Sequence, residues 1–344
     1  MNLKQVQEAA GAVFNEAGVA TTFNNDESAL AAIDNGVAMC DRSDWGVIKI
    51  TGDDRLRYLH NQSTNDFEKL QPGQGCDTVF VTSTARTLDL ATAYVTEDAV
   101  IVLVSPNRRQ QIYDWLDKFI FPFDKVELTD ITAEYSVFSL LGNNSSDLLS
   151  QISTDIISLE NIAEHQTVSI ADVPVRVAMG SGLATPGYTL VLKNDHAVAV
   201  WTKLIESGAI AFGDRLWESL RIQQGRPKGD RELTEDYNPL ETGLWQTISF
   251  EKGCYIGQET IARLNTYNGV KQKLWGIELT QPAVPQTPIT VNERKVGVLT
   301  SYTDTAKGGY GLGYVRTKAG GEGLTVRVGD AMGKLVSVPF ISHK

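Results

Sequence analysis

Cysteine is scarce in this 344-residue sequence. Cys40, Cys76 and Cys254 are its only three, and no two form a C-x-x-C unit. That spacing offers no zinc or iron–sulfur ligand pattern, and the low, odd count suits a reducing compartment. Histidine is nearly as rare. His60, His165, His196 and His343 form no H-x-x-x-H or H-E-x-x-H unit, which speaks against a histidine-built metal site. Positive charge is short as well: 31 Lys and Arg stand against 42 Asp and Glu, a net charge of −11. Broad contact with nucleic-acid phosphates or anionic lipid needs the opposite balance, so only a local basic patch stays open. Long hydrophobic runs are missing too. Ala99 to Val104 is the longest clear one, too short to cross a bilayer. The opening Met-Asn-Leu-Lys-Gln-Val-Gln-Glu lacks the basic and then apolar regions of a secretory signal, so a cytoplasmic protein is expected. No Walker A sequence, Ser-His-Asp order or kinase signature is evident.

What is present is a mixed pattern. Leu3 to Glu16 carries apolar residues at helical spacing, with Gly18 as the stop. Val47–Ile50, Phe80–Thr82, Ala91–Val95 and Ala99–Val104 read as strands. Helices are expected after Thr51-Gly52-Asp53-Asp54 and from Pro106 to Phe119. The pattern recurs with strands at Tyr135–Leu141, Val173–Val177 and Tyr188–Leu192, and helices at Ser146–Ile152, Val198–Ile205 and Leu216–Gln223. The elements lack the regular alternation of a doubly wound sheet, so the class is α+β. Beyond the proline-rich Gln281–Pro288 come short β-type runs separated by glycine, the signature of a small all-β barrel or sandwich beginning near Leu274. Gly309-Tyr310-Gly311-Leu312-Gly313 precedes no helix. It is read as a bent barrel strand, not a dinucleotide fingerprint.

Four places could carry chemistry. Lys252-Gly253-Cys254-Tyr255-Ile256-Gly257-Gln258-Glu259 sets a cysteine beside a lysine and just before a helix start, both of which favour a thiolate. Its plainer reading is a tight turn around a small buried cysteine. Arg221 to Arg231, with Arg226 and Lys228, is a basic stretch in an acidic chain. It suits an anionic tail, or equally a helix C-terminus capped by Gly225. Asp89 and Glu241 are carboxylates in otherwise apolar surroundings. Each could accept hydrogen bonds from an amino-pyrimidinone edge, or be a surface or salt-bridged acid.

The Lys252–Glu259 segment resembles the signature of the YgfZ-type branch of the folate-binding GcvT-like family, which also contains the glycine-cleavage aminomethyltransferase. Leu220-Arg221-Ile222, Gly225-Arg226-Pro227 and Pro239-Leu240-Glu241 are similar in order and spacing to the family core. Asp41-Arg42-Ser43-Asp44-Trp45-Gly46 and Thr64-Asn65-Asp66 resemble its opening region. The resemblance implies a three-lobed fold: an N-terminal helical extension over 1–27, a folate-binding region of two α+β lobes over 28–270, and a C-terminal β-barrel over 271–344. It implies tetrahydrofolate in a central cavity and a role in iron–sulfur cluster assembly or repair in client enzymes, including a tRNA methylthiolation enzyme. Cys254 with Lys252, Gln258 and Glu259 matches the signature. Asp89, Arg221, Arg226 and Glu241 are the implied folate contacts, and the thiol is expected at the cavity rim. Folate and iron–sulfur enzymes or assembly proteins are the implied partners, with no direct nucleic acid and no membrane.

Departures from the transferase pattern bear on the reaction. Gly187-Tyr188-Thr189-Leu190-Val191 lacks the glutamate of Gly-Tyr-Thr-Gly-Glu, Gln223 replaces a glutamate, and Ala85-Arg86-Thr87 replaces a glycine pair. They count against glycine-cleavage aminomethyl transfer. A folate-dependent one-carbon transferase and a non-folate protein-binding scaffold remain as alternatives.

Overall fold

The computed structural model describes residues 1–267 and 269–343. Two antiparallel-dominated sheets and a closed barrel form its three bodies. The first sheet has five strands, in the order Gly75–Val81, Thr87–Val95, Ala99–Val104, Gly46–Thr51 and Glu127–Asp130. Alternation along Gly46–Thr51 explains its two buried faces. Ile48 and Ile50 point under the helices Arg55–Gln62 and Arg109–Lys118, meeting Leu59, Ile112 and Leu116. Val47 points the other way and packs with Val137, Ala178 and Val191 of the second sheet.

The second sheet has six strands: His165–Ile170, Val173–Met179, Gly187–Lys193, Tyr135–Leu141, Ala38–Asp41 and Ile210–Phe212. Only the last pair is parallel. The helices Ser145–Ile152 and Asn194–Glu206 cover its outer face through Leu149, Val200 and Leu204. The chain therefore contributes residues 38–41 to the second sheet before it builds the first. Residues 1–27 are part of this body rather than a helical extension. The expected Leu3–Glu16 helix ends at Ala9, because Val13–Phe14 pairs with Ala20–Thr22 in a hairpin. Ala20 and Phe23 enter the core, and Leu3 and Val6 pack against it.

The barrel closes in the order Gln272–Leu279, Gly308–Arg316, Arg294–Thr305, Pro288–Val291, Thr325–Val328 and Ala331–Val336. This is the expected C-terminal β-barrel of an α+β chain, and Gly309–Gly313 lies in one of its strands. The proline-rich stretch ends in a barrel strand at Pro288 that its composition conceals. After the barrel, Val338 and Ile341 return to pack with Ile222, Leu233 and Leu244. Among the described residues no helix is long and apolar enough to cross a membrane.

Candidate functional site

A cavity of about 420 Å³ opens where the first two bodies meet the 226–231 loop, with Asp44, Trp45, Ser105, Asp214, Arg221 and Arg226 on its wall. Arg42 to Trp45 form the turn between the strands Ala38–Asp41 and Gly46–Thr51. Asp41 holds that turn by accepting from Ser43 N at 2.9 Å and Ser43 Oγ at 2.5 Å. The Asp214–Gln224 helix presents Asp214, Trp217, Glu218 and Arg221 to the same space. Gly225 ends the helix at φ +82°, as its position in sequence suggests, and a Cβ there would lie 2.2 Å from Val338. The chain then turns Arg226 back to donate to Gly182 O at 2.6 Å, with its guanidinium 4.9 Å from the Trp45 ring.

The two expected arginines are both buried; Arg221 is ion-paired within the protein, whereas Arg226 donates to the backbone carbonyls of Gly182 and Pro227. Arg221 donates to Glu232 Oε2 at 2.8 Å, Glu218 Oε1 at 2.5 Å and Ser301 Oγ at 2.7 Å. Burial opposes its charge, and Glu232 and Glu218 more than offset that, so the guanidinium is held charged. Burial likewise works against Glu218, but Arg221 and Lys228 outweigh it and bring that carboxyl down to about 2. The basic stretch is thus not a solvated helix end at these two positions, and Arg221 is not a free anion clamp.

Asp89 is fully buried behind the cavity wall. Its Oδ2 accepts from Ser105 N at 2.8 Å and its Oδ1 from Ser105 Oγ at 2.7 Å. Burial pushes it up to about 6, against the pull of the Ser105 hydrogen bonds and Arg226. It orients Ser105, which itself lines the cavity. Glu241 does not join this cavity. It closes a capping box with Asn238, whose backbone N–H it accepts at 3.1 Å, and burial raises its carboxyl. It faces a separate groove of about 730 Å³ with Arg86, Lys271 and Arg316.

The cysteine segment is a third location. Cys254 is exposed, and none of residues 252–259 lines the cavity wall, so the thiol is not at its rim. Lys252 does not serve the thiol. Its ammonium points inward and donates to the carbonyl oxygens of His60, of Ser63 at 2.8 Å and of Asn65 at 2.6 Å. These carbonyls lie at and beyond the end of the Arg55–Gln62 helix, where a cation also suits the dipole. Burial brings Lys252 down to about 7. Gln258 and Glu259 open the helix Gln258–Thr266, with Glu259 exposed. Tyr255 anchors the segment in a cluster with Leu240, Trp245 and Ile261.

Sequence reasoning missed several residues here. His60 lies under the cysteine loop with its Nδ1 3.1 Å from Asp66 Oδ1, and a Cβ at Gly253 would be 3.5 Å from its Nε2. Ser105, Asp44, Asp214 and Trp217 went unread as site residues. Asp44 and Ser105 carry one faint signal: each is a polar residue in the turn that follows an apolar strand.

Comparison with known proteins agrees with this architecture. A family model for the GCVT N-terminal domain matches residues 3–252. A chloroplastic candidate transferase of Arabidopsis thaliana is 46% identical over 338 residues, 97% of this chain and 78% of that protein. An aminomethyltransferase of Halothermothrix orenii is 27% identical over 323 residues, 90% of each chain. The crystal structure of glycine cleavage system aminomethyltransferase T from Bartonella henselae superposes with a TM-score of 0.85 at 20% identity. That match covers 99% of this chain and 97% of the other, which establishes a shared fold.

Proposed function

The chain belongs to the GCVT N-terminal domain family, which is aminomethyltransferase-like, and from that we propose a YgfZ-type tetrahydrofolate-binding protein that supports iron–sulfur cluster assembly or repair in client enzymes. tRNA-modifying enzymes would be among those clients. The observation that carries the reading is the cavity of about 420 Å³ with its preset polar wall. Ser105 would meet the pterin, its hydroxyl hydrogen already given to Asp89 and its oxygen free to accept from the ligand. Asp89 then acts through Ser105 rather than on folate directly. Arg221 and Arg226 shape the wall. Arg231, exposed at the mouth and without an ion pair among the described residues, would meet the anionic glutamyl tail. Glu241 is left as a structural cap. Folate supplies the one-carbon chemistry, and the residues here bind, orient and shield it.

The exposure of Cys254 supports a thiol that meets a partner protein rather than one that attacks folate in the cavity. Tyr255 and Lys252 hold the loop from below, with Gln258 and Glu259 at its trailing edge. Calorimetry with tetrahydrofolate should give micromolar binding, about −8 kcal/mol. A chain that binds no folate would overturn the reading. In cells lacking the gene, the wild-type copy should restore iron–sulfur enzyme activity and a Cys254→Ala copy should not.

A second reading, a folate-dependent one-carbon transferase, draws on the Arabidopsis relative. Against it, the position of the transferase glutamate is Val191, buried between the two sheets. Formation of methylene-tetrahydrofolate from an aminomethyl-lipoyl protein or an N-methyl amine would decide for it. A reducing compartment fits three unpaired cysteines. A cytoplasmic location is part of the proposal, set beside a chloroplastic relative.

A further inference from the structure

We propose that a groove at the edge of the interface between the two sheets binds a compact sugar phosphate, with its phosphate on Arg176, Lys193 and Tyr135 and its hydroxyl groups on Asp195. The groove shares no lining residue with the cavity assigned to folate, and the inference does not rest on the folate reading.

The groove measures about 480 Å³, and strand register builds its floor. Arg176 stands opposite Thr167 on one side and Val191 on the other, and Lys193 stands opposite Tyr135. Val191 faces the first sheet, so alternation puts Arg176, Lys193 and Tyr135 on that same face. Ile101 and Tyr135 pack at the margin of the core between the sheets, and with Pro174 they give the groove an apolar side. The polar groups thus stand on neighbouring strands of one sheet, which hold a site more exactly than loops do. The helix Asn194–Glu206 begins on the same wall, and its N-cap Lys193 makes no side-chain cap, so the local dipole also favours an anion.

Arg176 supplies the independent demand for that anion. It is half-buried and has no ion pair among the described residues. Burial lowers its pKa, and Tyr135, Tyr94 and Asp98 offset this only in part; Asp98 itself pairs with Lys49 at 3.7 Å. His165 accepts from Nη1 at 2.7 Å, which fixes the fork without meeting its charge. Nε and Nη2 have no partner among the described residues. The Nε atoms of Arg42, Arg55, Arg108 and Arg221 also lack one but are shut off from solvent, whereas the free edge of Arg176 is not. That edge suits two oxygens of one oxyanion. A half-buried guanidinium without a counter-ion carries a desolvation cost that such an anion relieves. Lys193, exposed and without an ion pair among the described residues, adds a second positive charge, which suits a phosphate monoester. Asp195 disfavours a bare anion beside it but accepts hydrogen bonds from hydroxyl groups, so the phosphate is one borne on a polyol. A long polyanion would run onto the surface of a chain with net charge −11, which favours a compact ligand.

Ribose 5-phosphate is the probe. Calorimetry of the full chain at pH 7.5 should show it binding in the submillimolar range, more tightly than inorganic phosphate, and ribose should not bind. Arg176→Gln should weaken it about tenfold or more, the loss expected for hydrogen bonds to a charged group, and Arg176→Lys should lose part of that, because it keeps the charge but not the fork. Lys193→Gln, at an exposed position where folding is not at stake, should weaken it about threefold and flatten its salt dependence. Lys334→Gln, on a barrel strand, should leave it unchanged. Tetrahydrofolate should not compete. Vesicles of phosphatidic acid, which carry the same phosphate monoester on a lipid, should neither bind nor compete. The inference fails if ribose 5-phosphate does not bind, if neither Arg176→Gln nor Lys193→Gln weakens it, if tetrahydrofolate displaces it, or if the vesicles bind and the free sugar phosphate does not. Sugar phosphate binding in a chain that binds no tetrahydrofolate would sink the folate reading and uphold this one.

Discussion

At the scale of the residue, the structure assigns work to side chains whose charge alone is a poor guide. His165 is buried, with Nε2 2.9 Å from Val95 O and Nδ1 2.7 Å from Arg176 Nη1. The arginine donates to Nδ1, so the ring is neutral and its own hydrogen sits on Nε2. Burial, then Arg176, brings it down to about 4 from an ordinary value near 6.5. The unfolded chain thus binds a proton at a higher pH than the folded chain does. Stability from this group is complete above pH 6.5 and is lost as pH falls toward 4, by about 3 kcal/mol. Urea titrations at pH 7 and pH 4.5 measure this. In His165→Gln, which keeps a donor and an acceptor, the drop between the two pH values should shrink. An equal drop in both proteins would refute the assignment. Lys252 and Cys254 make a second contrast. Lys252→Met leaves carbonyls of His60, Ser63 and Asn65 without their donor and should cost about 2–4 kcal/mol. Cys254→Ser, at an exposed site, should stay within about 0.5 kcal/mol. If the two variants melted alike, the lysine would not be the cap described.

At the scale of the element, turns do most to place the functional residues. Gly257 starts the helix Gln258–Thr266 at φ +83°, and a Cβ there would lie 2.8 Å from Thr82 O. Gly257→Ala should therefore destabilise by more than about 1 kcal/mol, from the left-handed backbone and the crowding together. The shortfall should appear in a thermal melt, and a neutral result would mean that the loop shifts freely. Strands with a strong apolar content are legible in the sequence: Tyr135–Leu141 and Ala99–Val104 to the residue, and Gly46–Thr51 nearly so. Ala38–Asp41 and Ile210–Phe212 are not. Each is short, lies next to the other in the sheet, and comes from a distant part of the chain. Their strand character comes from that pairing, not from local propensity. The same reason hid Asp44 and Asp214. The cysteine segment was legible as a signature, but its direction was not, because Lys252 finds its partners near residues 60–65.

At the scale of the whole molecule, a buried polar network that no local pattern announces ties the barrel to the helix and loop that border the cavity. Glu232, fully buried, accepts from Thr300 Oγ1 at 2.6 Å and Ser301 Oγ at 2.7 Å on a barrel strand. Its other oxygen takes Arg221 at 2.8 Å and Lys228 N at 3.1 Å. Tyr314 of the barrel donates to the Glu232 backbone carbonyl at 2.7 Å. One carboxylate thus links the helix that lines the cavity, the loop that closes it, and the barrel. Glu232→Ala would leave the buried Arg221 with one of its two carboxylate partners gone, at a cost of about 3–5 kcal/mol. Glu232→Gln keeps the shape and both hydroxyl contacts, but its amide nitrogen faces the Arg221 and Lys228 N–H donors and cannot accept from them, so it should also destabilise. The decisive measurement is the form of the transition. Wild type should unfold in one step followed by both tryptophan fluorescence and far-ultraviolet circular dichroism. In Glu232→Ala the barrel, with its own closed core around Ile277, Leu299 and Val326, should part from the rest and give two steps. A single step at reduced midpoint would mean that the apolar contacts of Val338 and Ile341 hold the barrel in place, and that Glu232 sets only the cavity wall.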